Sequence, residues 1–255
     1  MIFKKRQKKE IYSLMNSVIK NKNKLVKTYS NETKELPTFV NNKLIAHKLK
    51  NKNYFLKCKF NENSCEMKYY KKTEFSLEAK KIKKIAKKIK NFHGVKSSNL
   101  KEFDIIKILE VWNKETKYQL TNWESLIVNS VSEYKGEKTL CHNDLHIGNI
   151  LFIRNKIKLI DYDFAGINYS IFDIVSFMSE QDMNEKNRKL FLKTYYKNKE
   201  IKIDELVLFE DFHNIFWKSW SSYMYKKTNN KDFLKINKIR NKNLKYRVYT
   251  KYKYK

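Results

Sequence analysis

The chain has 255 residues, of which 41% are hydrophobic and 15% aromatic, enough apolar surface to form a sizeable core and to exclude a globally disordered protein. Lysine and arginine number 56 against 27 acidic residues, so the formal net charge is +29. Such a charge would attract nucleic acid or anionic lipid, but a composition biased toward Lys and Asn spreads charge everywhere. A nucleic-acid site gathers charge and aromatic side chains on one face. We therefore expect no nucleic acid among the partners.

The amino terminus and the cysteines both predict a cytoplasmic protein. Residues 1–10 are charged from the start and are not followed by the apolar stretch of a secretory signal, and no apolar run approaches the length of a transmembrane helix. Cys58, Cys65 and Cys141 are too few and too irregularly spaced for a zinc site or a disulfide framework, and they suit a reducing compartment. We expect ordinary thiols and no transmembrane segment.

The first part of the chain gives weak signals and then one clear helix. Residues 1–70 are polar, and they predict a helix near residues 10–19 and short strands at 54–60 and 65–70. In residues 77–93, apolar side chains recur at three- and four-residue steps: Ile82, Ile85, Ala86, Ile89 and Phe92. This spacing predicts an amphipathic helix that ends at Gly94. Further helices are predicted at 103–112 and 123–134.

The second half changes from helical to strand-like patterns and back. Short apolar runs predict strands at 139–141, 150–153 and 157–160, and residues 154–156 form a tight connection between the last two. Helices are predicted again at 173–180, 184–196 and 206–226. A loop, a hairpin and an acidic residue therefore follow one another between two helical regions.

Three oxygen-bearing side chains in this region match the needs of phosphoryl transfer. Asp144 lies on the loop before the hairpin, Asn149 follows five positions later, and Asp161 comes at the end of the far strand. A kinase needs one carboxylate to accept the proton of the acceptor hydroxyl, and an amide oxygen and a second carboxylate to hold Mg²⁺ against the nucleotide phosphates. Protein kinases use the same Asp-to-Asn spacing. The pattern predicts a kinase catalytic loop; the alternative is a solvated polar loop beside a hairpin.

The same region resembles the choline/ethanolamine kinase family, part of the larger group of aminoglycoside-phosphotransferase-like kinases. The resemblance rests on His142-Asn143-Asp144-Leu145 with Asn149, on Leu159-Ile160-Asp161-Tyr162-Asp163-Phe164-Ala165-Gly166, and on Asn168-Tyr169-Ser170-Ile171-Phe172-Asp173-Ile174. It is dense over residues 140–180 and looser up to residue 246. It implies an α+β, protein-kinase-like two-lobe fold, with a reduced N-lobe (residues 1–70), a mainly helical C-lobe (residues 71–255), and ATP and Mg²⁺ between them.

The resemblance also implies a role for each acidic residue of the motif. Asp144 would be the catalytic base, and Asn149 and Asp161 would bind Mg²⁺ and, through it, the nucleotide. Asp163 would be an acidic metal-site residue beside them, and Asp173 a structural acid that steadies the loop. We expect His142 to be a structural loop residue that hydrogen-bonds to the backbone, in preference to a general base.

The substrate end of the resemblance involves aromatic residues near the carboxyl terminus. A trimethylammonium group cannot donate conventional hydrogen bonds, so a site holds it with aromatic faces and a carboxylate. By resemblance, Trp217, Trp220 and Phe164 would contribute the faces, and Glu180 would be the acid that faces the amine. However, apolar residues recur through residues 209–223 at helical spacing, and such a stripe also suits a buried core. For the two tryptophans, cage and core remain equal alternatives.

The N-lobe departs from the kinase pattern. A kinase covers its nucleotide with a Gly-rich loop and grips the phosphates with a strand lysine, but the first glycine here is Gly94. Two alignments remain open for the strand: one uses residues 1–6 with Glu10 as the pairing acid, and the other uses Lys57 or Lys59. Three explanations also remain open: a short but functional N-lobe, a start codon downstream of the true one, or a kinase relic.

We expect an active ATP- and Mg²⁺-dependent kinase that phosphorylates the hydroxyl of choline or ethanolamine, since the three proposed site residues are intact. One rival is a kinase of another small hydroxylated substrate, such as an aminoglycoside or a sugar. Another is a non-catalytic protein that binds choline or nucleic acid. The sequence does not decide between choline and ethanolamine.

Overall fold

The structure is a computed structural model that describes residues 16–34, 36, 39–49, 56, 58–71, 76–96, 98–153, 156–197 and 199–246. The strands are β1 (Asn16–Asn21), β2 (Lys24–Tyr29), β3 (Cys58–Phe60), β4 (Ser64–Lys68), β5 (Lys138–Cys141), β6 (Ile150–Ile153), β7 (Lys156–Leu159) and β8 (Gly166–Tyr169). The helices are α1 (Asn31–Lys34), α2 (Asn41–Leu49), α3 (Ala79–His93), α4 (Ile105–Thr116), α5 (Asn122–Ser132), α6 (Ser170–Glu180), α7 (Glu185–Tyr196), α8 (Ile203–Thr228) and α9 (Asp232–Tyr246).

The amino-terminal part forms an antiparallel sheet with strand order β1-β2-β4-β3. β1 and β2 form a hairpin in which Val18 pairs with Lys27 and Ile19 pairs with Val26. The predicted helix at residues 10–19 is therefore wrong for residues 16–19, while residues 10–15 lie outside the described residues. The physical reason is that β-branched Val18 and Ile19 favour an extended backbone and gain cross-strand partners in β2.

Two further elements complete this part. β3 and β4 confirm the predicted strands over residues 58–60 and 65–68. Residues 54, 55 and 57 lie outside the described residues, and β4 ends two residues earlier than predicted. Helix α2, which was not predicted, carries the buried Asn41. The Asn41 side chain donates to the carbonyl oxygens of Lys101 (3.0 Å) and Ala165 (2.9 Å) and accepts from the backbone N–H of Lys101 (2.8 Å). One side chain thus joins α2 to two segments of the C-lobe.

The predicted helices of the C-lobe are confirmed. α3 buries the apolar face expected of it, and α4 and α5 begin at capped residues. The Asp104 side chain accepts from the Lys107 N–H, and Thr121 and Glu124 form a reciprocal capping box, which satisfies N–H groups that a helix leaves unpaired. Helices α6, α7 and α8 match the three predicted after the hairpin, and α9 was not predicted.

Two short strand pairs bring the candidate site together. β5 pairs with β8, an unpredicted strand, so that Cys141 lies opposite Gly166. β6 pairs with β7, so that Ile150 lies opposite Leu159. The loop of residues 142–149 and the loop of residues 160–165 each connect the same two strand pairs. They therefore run side by side.

The long helix α8 lies at the centre of the C-lobe and packs against α4, α5, α6 and α9. It also carries Glu210, which forms a buried ion pair with Arg188 of α7. Arg188 further donates from Nε to the carbonyl oxygen of Met183 at 2.9 Å. Burial raises the pKa of Glu210 to about 7, although Arg188 opposes this. Within the described residues, no helix combines the length and apolar character that crossing a bilayer requires.

Candidate active site

Asp173 holds the loop of residues 142–149 by its backbone. This buried carboxylate, near the start of α6, accepts hydrogen bonds from the N–H groups of His142 and Asn143, each at 2.7 Å. His93 of α3 adds a third contact, with Nε2 at 3.0 Å from Asp173 Oδ2. His142 Nε2 donates to the carbonyl oxygen of Ile160 at 2.9 Å, the kind of backbone contact predicted for it. These contacts therefore fix the loop at His142 and Asn143, immediately before Asp144.

Asn143 links this loop to its neighbour. Its φ of 64° lies in the left-handed region, which Asn tolerates better than most residues. Its Nδ2 donates to the carbonyl oxygen of Phe164 at 2.8 Å, and its Oδ1 accepts from Asn168 Nδ2 at 2.8 Å. Asp161 on the second loop also has a positive φ, 69°. Left-handed backbone at both loops fits a site where surrounding contacts hold strained geometry.

Asp144 and Asn149 are in direct contact. Asn149 Nδ2 donates to Asp144 Oδ2 and to the Asp144 carbonyl oxygen, each at 2.9 Å. His146 Nε2 lies 3.7 Å from Asp144 Oδ2. Gly148 permits this turn, because a Cβ there would lie 2.2 Å from His146 Cε1. The Asn149 carbonyl oxygen also accepts from the Ile160 N–H at 3.0 Å, which ties this turn to the loop of Asp161.

Lys27 of β2 is the residue that sequence reasoning missed. Its Nζ lies 2.6 Å from Asp161 Oδ1 and 2.6 Å from Asp163 Oδ2, so one ammonium bridges the two carboxylates. Asn16 of β1 also donates to Asp163 Oδ2, at 2.7 Å. Lys27 and Asp163 are buried, whereas the Asp161 side chain is 37% exposed. The contact joins the amino-terminal sheet to the loop of residues 160–165.

The charges of this cluster shift one another. Burial lowers the pKa of Lys27, but the charges of Asp161 and Asp163 outweigh burial and raise it well above its usual value. Burial raises the pKa of Asp163 to about 6, with Lys27 opposing and Asp161 adding to the shift. For Asp161, burial acts upward but Lys27 prevails, so its pKa falls below the usual range. The cluster therefore holds at least one carboxylate ionised at neutral pH.

A cavity lies between the sheet and this loop. It is lined by Lys27, Tyr29, Asn42, Leu56, Cys58, Phe60, Cys65, Met67, Leu159, Ile160, Asp161, Tyr162 and Asp163. Asn42 Nδ2 is buried there and has no hydrogen-bond partner among the described residues. In protein kinases the strand lysine pairs with a helix glutamate. In α2 that acid has no counterpart, since the helix reads Asn-Asn-Lys-Leu-Ile-Ala-His-Lys-Leu, and the ion pairs of Lys27 within the described residues are with aspartates.

This placement decides part of the open question about the lysine. Lys59 is wrong as the phosphate-gripping residue, because it is exposed on β3 and does not line the cavity. Lys57, residues 1–6 and Glu10 lie outside the described residues. The sequence carries a signal for the strand: Leu25-Val26-Lys27 is a β-like run that follows another such run after a two-residue turn. This pattern predicts a hairpin but does not single out Lys27 as a site residue.

The residues present fit a magnesium ion bound with a nucleotide. Mg²⁺ prefers hard oxygen ligands, and Asp161, Asp163 and Asn149 supply carboxylate and amide oxygens. Asn149 turns its NH₂ group toward Asp144, which leaves Oδ1 as its acceptor. The ammonium of Lys27 already lies between the two carboxylates, so these oxygens can share one cation. No described Cys or His competes for a place in this oxygen set.

The residues predicted to bind the acceptor have partners within the protein. Phe164, Trp217 and Trp220 are in contact, with ring centroids 6.1 Å apart for Phe164 and Trp217 and 5.3 Å apart for the two tryptophans. The tryptophans are only 5% and 3% exposed. Glu180, the last residue of α6, forms an ion pair with Arg240 of α9. The indoles thus lie in an aromatic core, and their part in binding stays a prediction.

Comparison with known proteins shows what this chain is similar to. Residues 81–197 match the model of the phosphotransferase enzyme family (APH). The probable choline kinase 1 of Arabidopsis thaliana is 25% identical over 53% of this chain and 51% of its own length. A choline kinase LicA structure from Streptococcus pneumoniae has a TM-score of 0.75 at 18% identity (91% of this chain, 90% of that one). A Plasmodium vivax ethanolamine kinase structure has a TM-score of 0.68 at 20% identity (92% and 82%).

The structural comparisons and the family match support different conclusions. The structural similarities confirm the predicted α+β, protein-kinase-like fold. The family match confirms the resemblance to phosphotransferases for the matched segment, which contains every candidate residue of the two loops. The chain spans about half the length of the curated relatives it matches. Its activity and substrate are therefore taken up as proposals.

Proposed function

From the phosphotransferase-family segment at residues 81–197, we propose that this protein is an ATP-dependent kinase that phosphorylates the hydroxyl of choline or ethanolamine. The observation that carries the proposal is the side-by-side course of two loops. Asn149, which contacts Asp144, also accepts from the N–H of Ile160, and the next residue, Asp161, is one of the two carboxylates bridged by Lys27. This grouping supplies a proton acceptor, a set of metal ligands and a cation for the phosphates. Few other activities need all three in one cleft.

Each residue has a proposed task. Asp144 accepts the proton of the acceptor hydroxyl, while the hydrogen bond from Asn149 restricts the orientation of its carboxylate. Bound Mg²⁺ would neutralise charge on the nucleotide phosphates, and Asn149, Asp161 and Asp163 are the residues that would hold it. Lys27 leaves part of its contact with the aspartates to bind phosphate oxygens. Positioning and electrostatics provide nearly all the rate enhancement in this type of reaction.

The cavity beside Lys27 is lined by apolar side chains of β3 and β4 and by the charged residues Lys27, Asp161 and Asp163. Its free volume of about 30 Å³ is smaller than an adenine ring, so the nucleotide would bind at its mouth, with the phosphates at the Lys27 ammonium. This arrangement makes up for the missing Gly-rich loop only in part, so we expect a weaker nucleotide affinity than in kinases that close a loop over ATP.

A substrate panel tests the proposal. The purified chain is incubated with ATP and Mg²⁺ and with choline, ethanolamine, an aminoglycoside or a hexose, and ADP and phosphorylated product are measured. The Asp144→Asn variant, purified in the same way, gives the background from contaminating kinases. Phosphocholine or phosphoethanolamine formed by wild type alone supports the proposal. If only another alcohol is phosphorylated, the proposed substrate is wrong. If no acceptor is phosphorylated, the proposed kinase activity is refuted.

A further inference from the structure

Glu180, which the family resemblance predicts to face the amine of the acceptor, already forms an ion pair within the protein. Arg240 Nη2 of α9 donates to Glu180 Oε1, and the two side chains are only 10% and 12% exposed. His213 of α8 approaches the same oxygen, with Nε2 at 4.0 Å. Burial, followed by the nearby charge of Arg240, lowers the pKa of His213 to about 3. Of these two neighbours, Arg240 is therefore the one that is charged at neutral pH.

The position of Glu180 explains why it needs such a partner. It is the last residue of α6, where the partial negative charge of the helix end disfavours a carboxylate. It is also largely buried, which further disfavours the charged form. The Arg240 guanidinium opposes both effects and, with its planar donor group, restricts the direction of the carboxylate.

A chain of contacts leads from this ion pair to the catalytic loops. The ring centroid of His213 is 6.3 Å from that of Trp217, and Trp217 is 6.1 Å from Phe164. The Phe164 carbonyl oxygen accepts from Asn143, the residue before Asp144. The carboxylate of Glu180 thus belongs to the same packed unit as the proposed catalytic base. A group that fixes Glu180 also fixes the distance at which a bound amine lies from the reacting end.

We propose that Arg240 is a positioning residue for the acceptor: it keeps Glu180 ionised and oriented, so that the cationic nitrogen of the substrate binds a carboxylate already in place. This inference rests on the proposed function. The acceptor's nitrogen shares Glu180 with Arg240 and does not replace it. The contribution of Arg240 therefore applies only to acceptors that carry a positive charge.

The test compares a charged acceptor with a neutral one of the same shape. Choline and its carbon analogue 3,3-dimethyl-1-butanol are assayed with wild type, Arg240→Met, Arg240→Lys and Lys238→Met, the last removing an exposed charge from the same helix. We expect Arg240→Met to raise the KM for choline by at least about tenfold, since a buried carboxylate loses its partner. The values for the neutral analogue and the KM for ATP should change less than about twofold. Arg240→Lys should keep most of the choline affinity, and Lys238→Met should match wild type.

Three results would overturn the inference. Equal losses for choline and the neutral analogue would mean that Arg240 is only structural. A lower KM for choline in Arg240→Met would mean that Arg240 competes with the substrate, and an unchanged KM would mean that it has no role. If Arg240→Met does not fold, Arg240→Gln takes its place, because glutamine can still donate to Glu180 but has no charge.

Binding measured by calorimetry separates this inference from the proposed function. Wild type that binds choline but never phosphorylates it refutes only the proposed function, and a weaker choline affinity in Arg240→Met then still supports the role of Arg240. Equal choline affinity in the two proteins overturns the inference whatever the turnover. If wild type phosphorylates ethanolamine or choline and the variants do not differ from it, the proposed function stands and the proposed role of Arg240 is refuted. No binding of choline or ethanolamine to wild type refutes both.

Discussion

Replacing Lys27 with methionine removes the ammonium that bridges Asp161 and Asp163, and it keeps most of the side-chain volume. Lys27 lies 2.6 Å from each carboxylate and is buried. Removing one partner of a buried ion pair costs about 3–5 kcal/mol, because the remaining charge loses its compensation. Asp161 is 37% exposed, so water replaces part of what Lys27 supplies. We therefore expect the free energy of unfolding to fall by about 3 kcal/mol, the lower end of that range.

Urea denaturation in EDTA measures this loss, since no divalent cation can then replace the ammonium. Lys24→Met is the matched control: Lys24 lies on the same strand, and its ion pair with Glu66 (2.7 Å) is exposed, with the lysine side chain 63% accessible. An exposed pair contributes about 0–1 kcal/mol. The same variants should differ in kcat/KM for ATP, with Lys27→Met reduced by at least about 100-fold, or 2.7 kcal/mol. Equal effects of the two substitutions on stability and on kcat/KM would refute the reasoning.

Further predictions concern the base, a histidine and a buried ion pair. Asp144→Asn should reduce kcat by at least about 100-fold and leave the nucleotide Kd nearly unchanged, whereas Asp161→Ala should abolish Mg²⁺-dependent nucleotide binding. Initial rates and titration calorimetry measure these effects. A wild-type rate in either variant would contradict the prediction for that residue. The folded protein keeps His213 neutral, because its pKa is lowered to about 3, so between pH 6.5 and 5 only the unfolded chain takes up a proton at this residue. About 2 kcal/mol of the free energy of unfolding should therefore be lost over that interval. Urea denaturation across this pH range should show a smaller loss of stability for His213→Gln. Arg188→Met should destabilise by about 3–5 kcal/mol, and the exposed Lys189→Met on the same helix by less than about 1 kcal/mol; similar melts for both would contradict this.

The C-lobe was predictable because its signals are local. The spacing of Ile82 to Phe92 and the five-residue step from Asp144 to Asn149 are properties of short stretches. In the structure the first forms helix α3, and the second brings the two side chains into contact. Strand β8 was missed because it has only four residues, one of them Gly166, and its pairing with β5 completes it. Residues 16–19 were misassigned although Val18 and Ile19 are β-branched, because the pairing with β2 that fixes their conformation is not visible in that stretch alone.

The site was predictable only on its C-lobe side. Asp144, Asn149, Asp161 and Asp163 lie within one contiguous segment, so their order alone suggested their chemistry. Lys27 joins them from a strand 134 residues earlier than Asp161, and no local pattern marks one lysine among the many in this chain. Arg240 was missed likewise, because the contact between α9 and the end of α6 exists only in three dimensions. Long-range ion pairs of this kind have no signature in sequence.

The three hydrogen bonds of Asn41 determine where this molecule can bend. They fix α2 to the backbone at Lys101 and Ala165, so α2 must travel with the C-lobe although it precedes β3 and β4 in the chain. A shift of the four-stranded sheet away from the C-lobe would therefore leave α2 in place. It would first have to break the contacts that Lys27 and Asn16 make with Asp161 and Asp163.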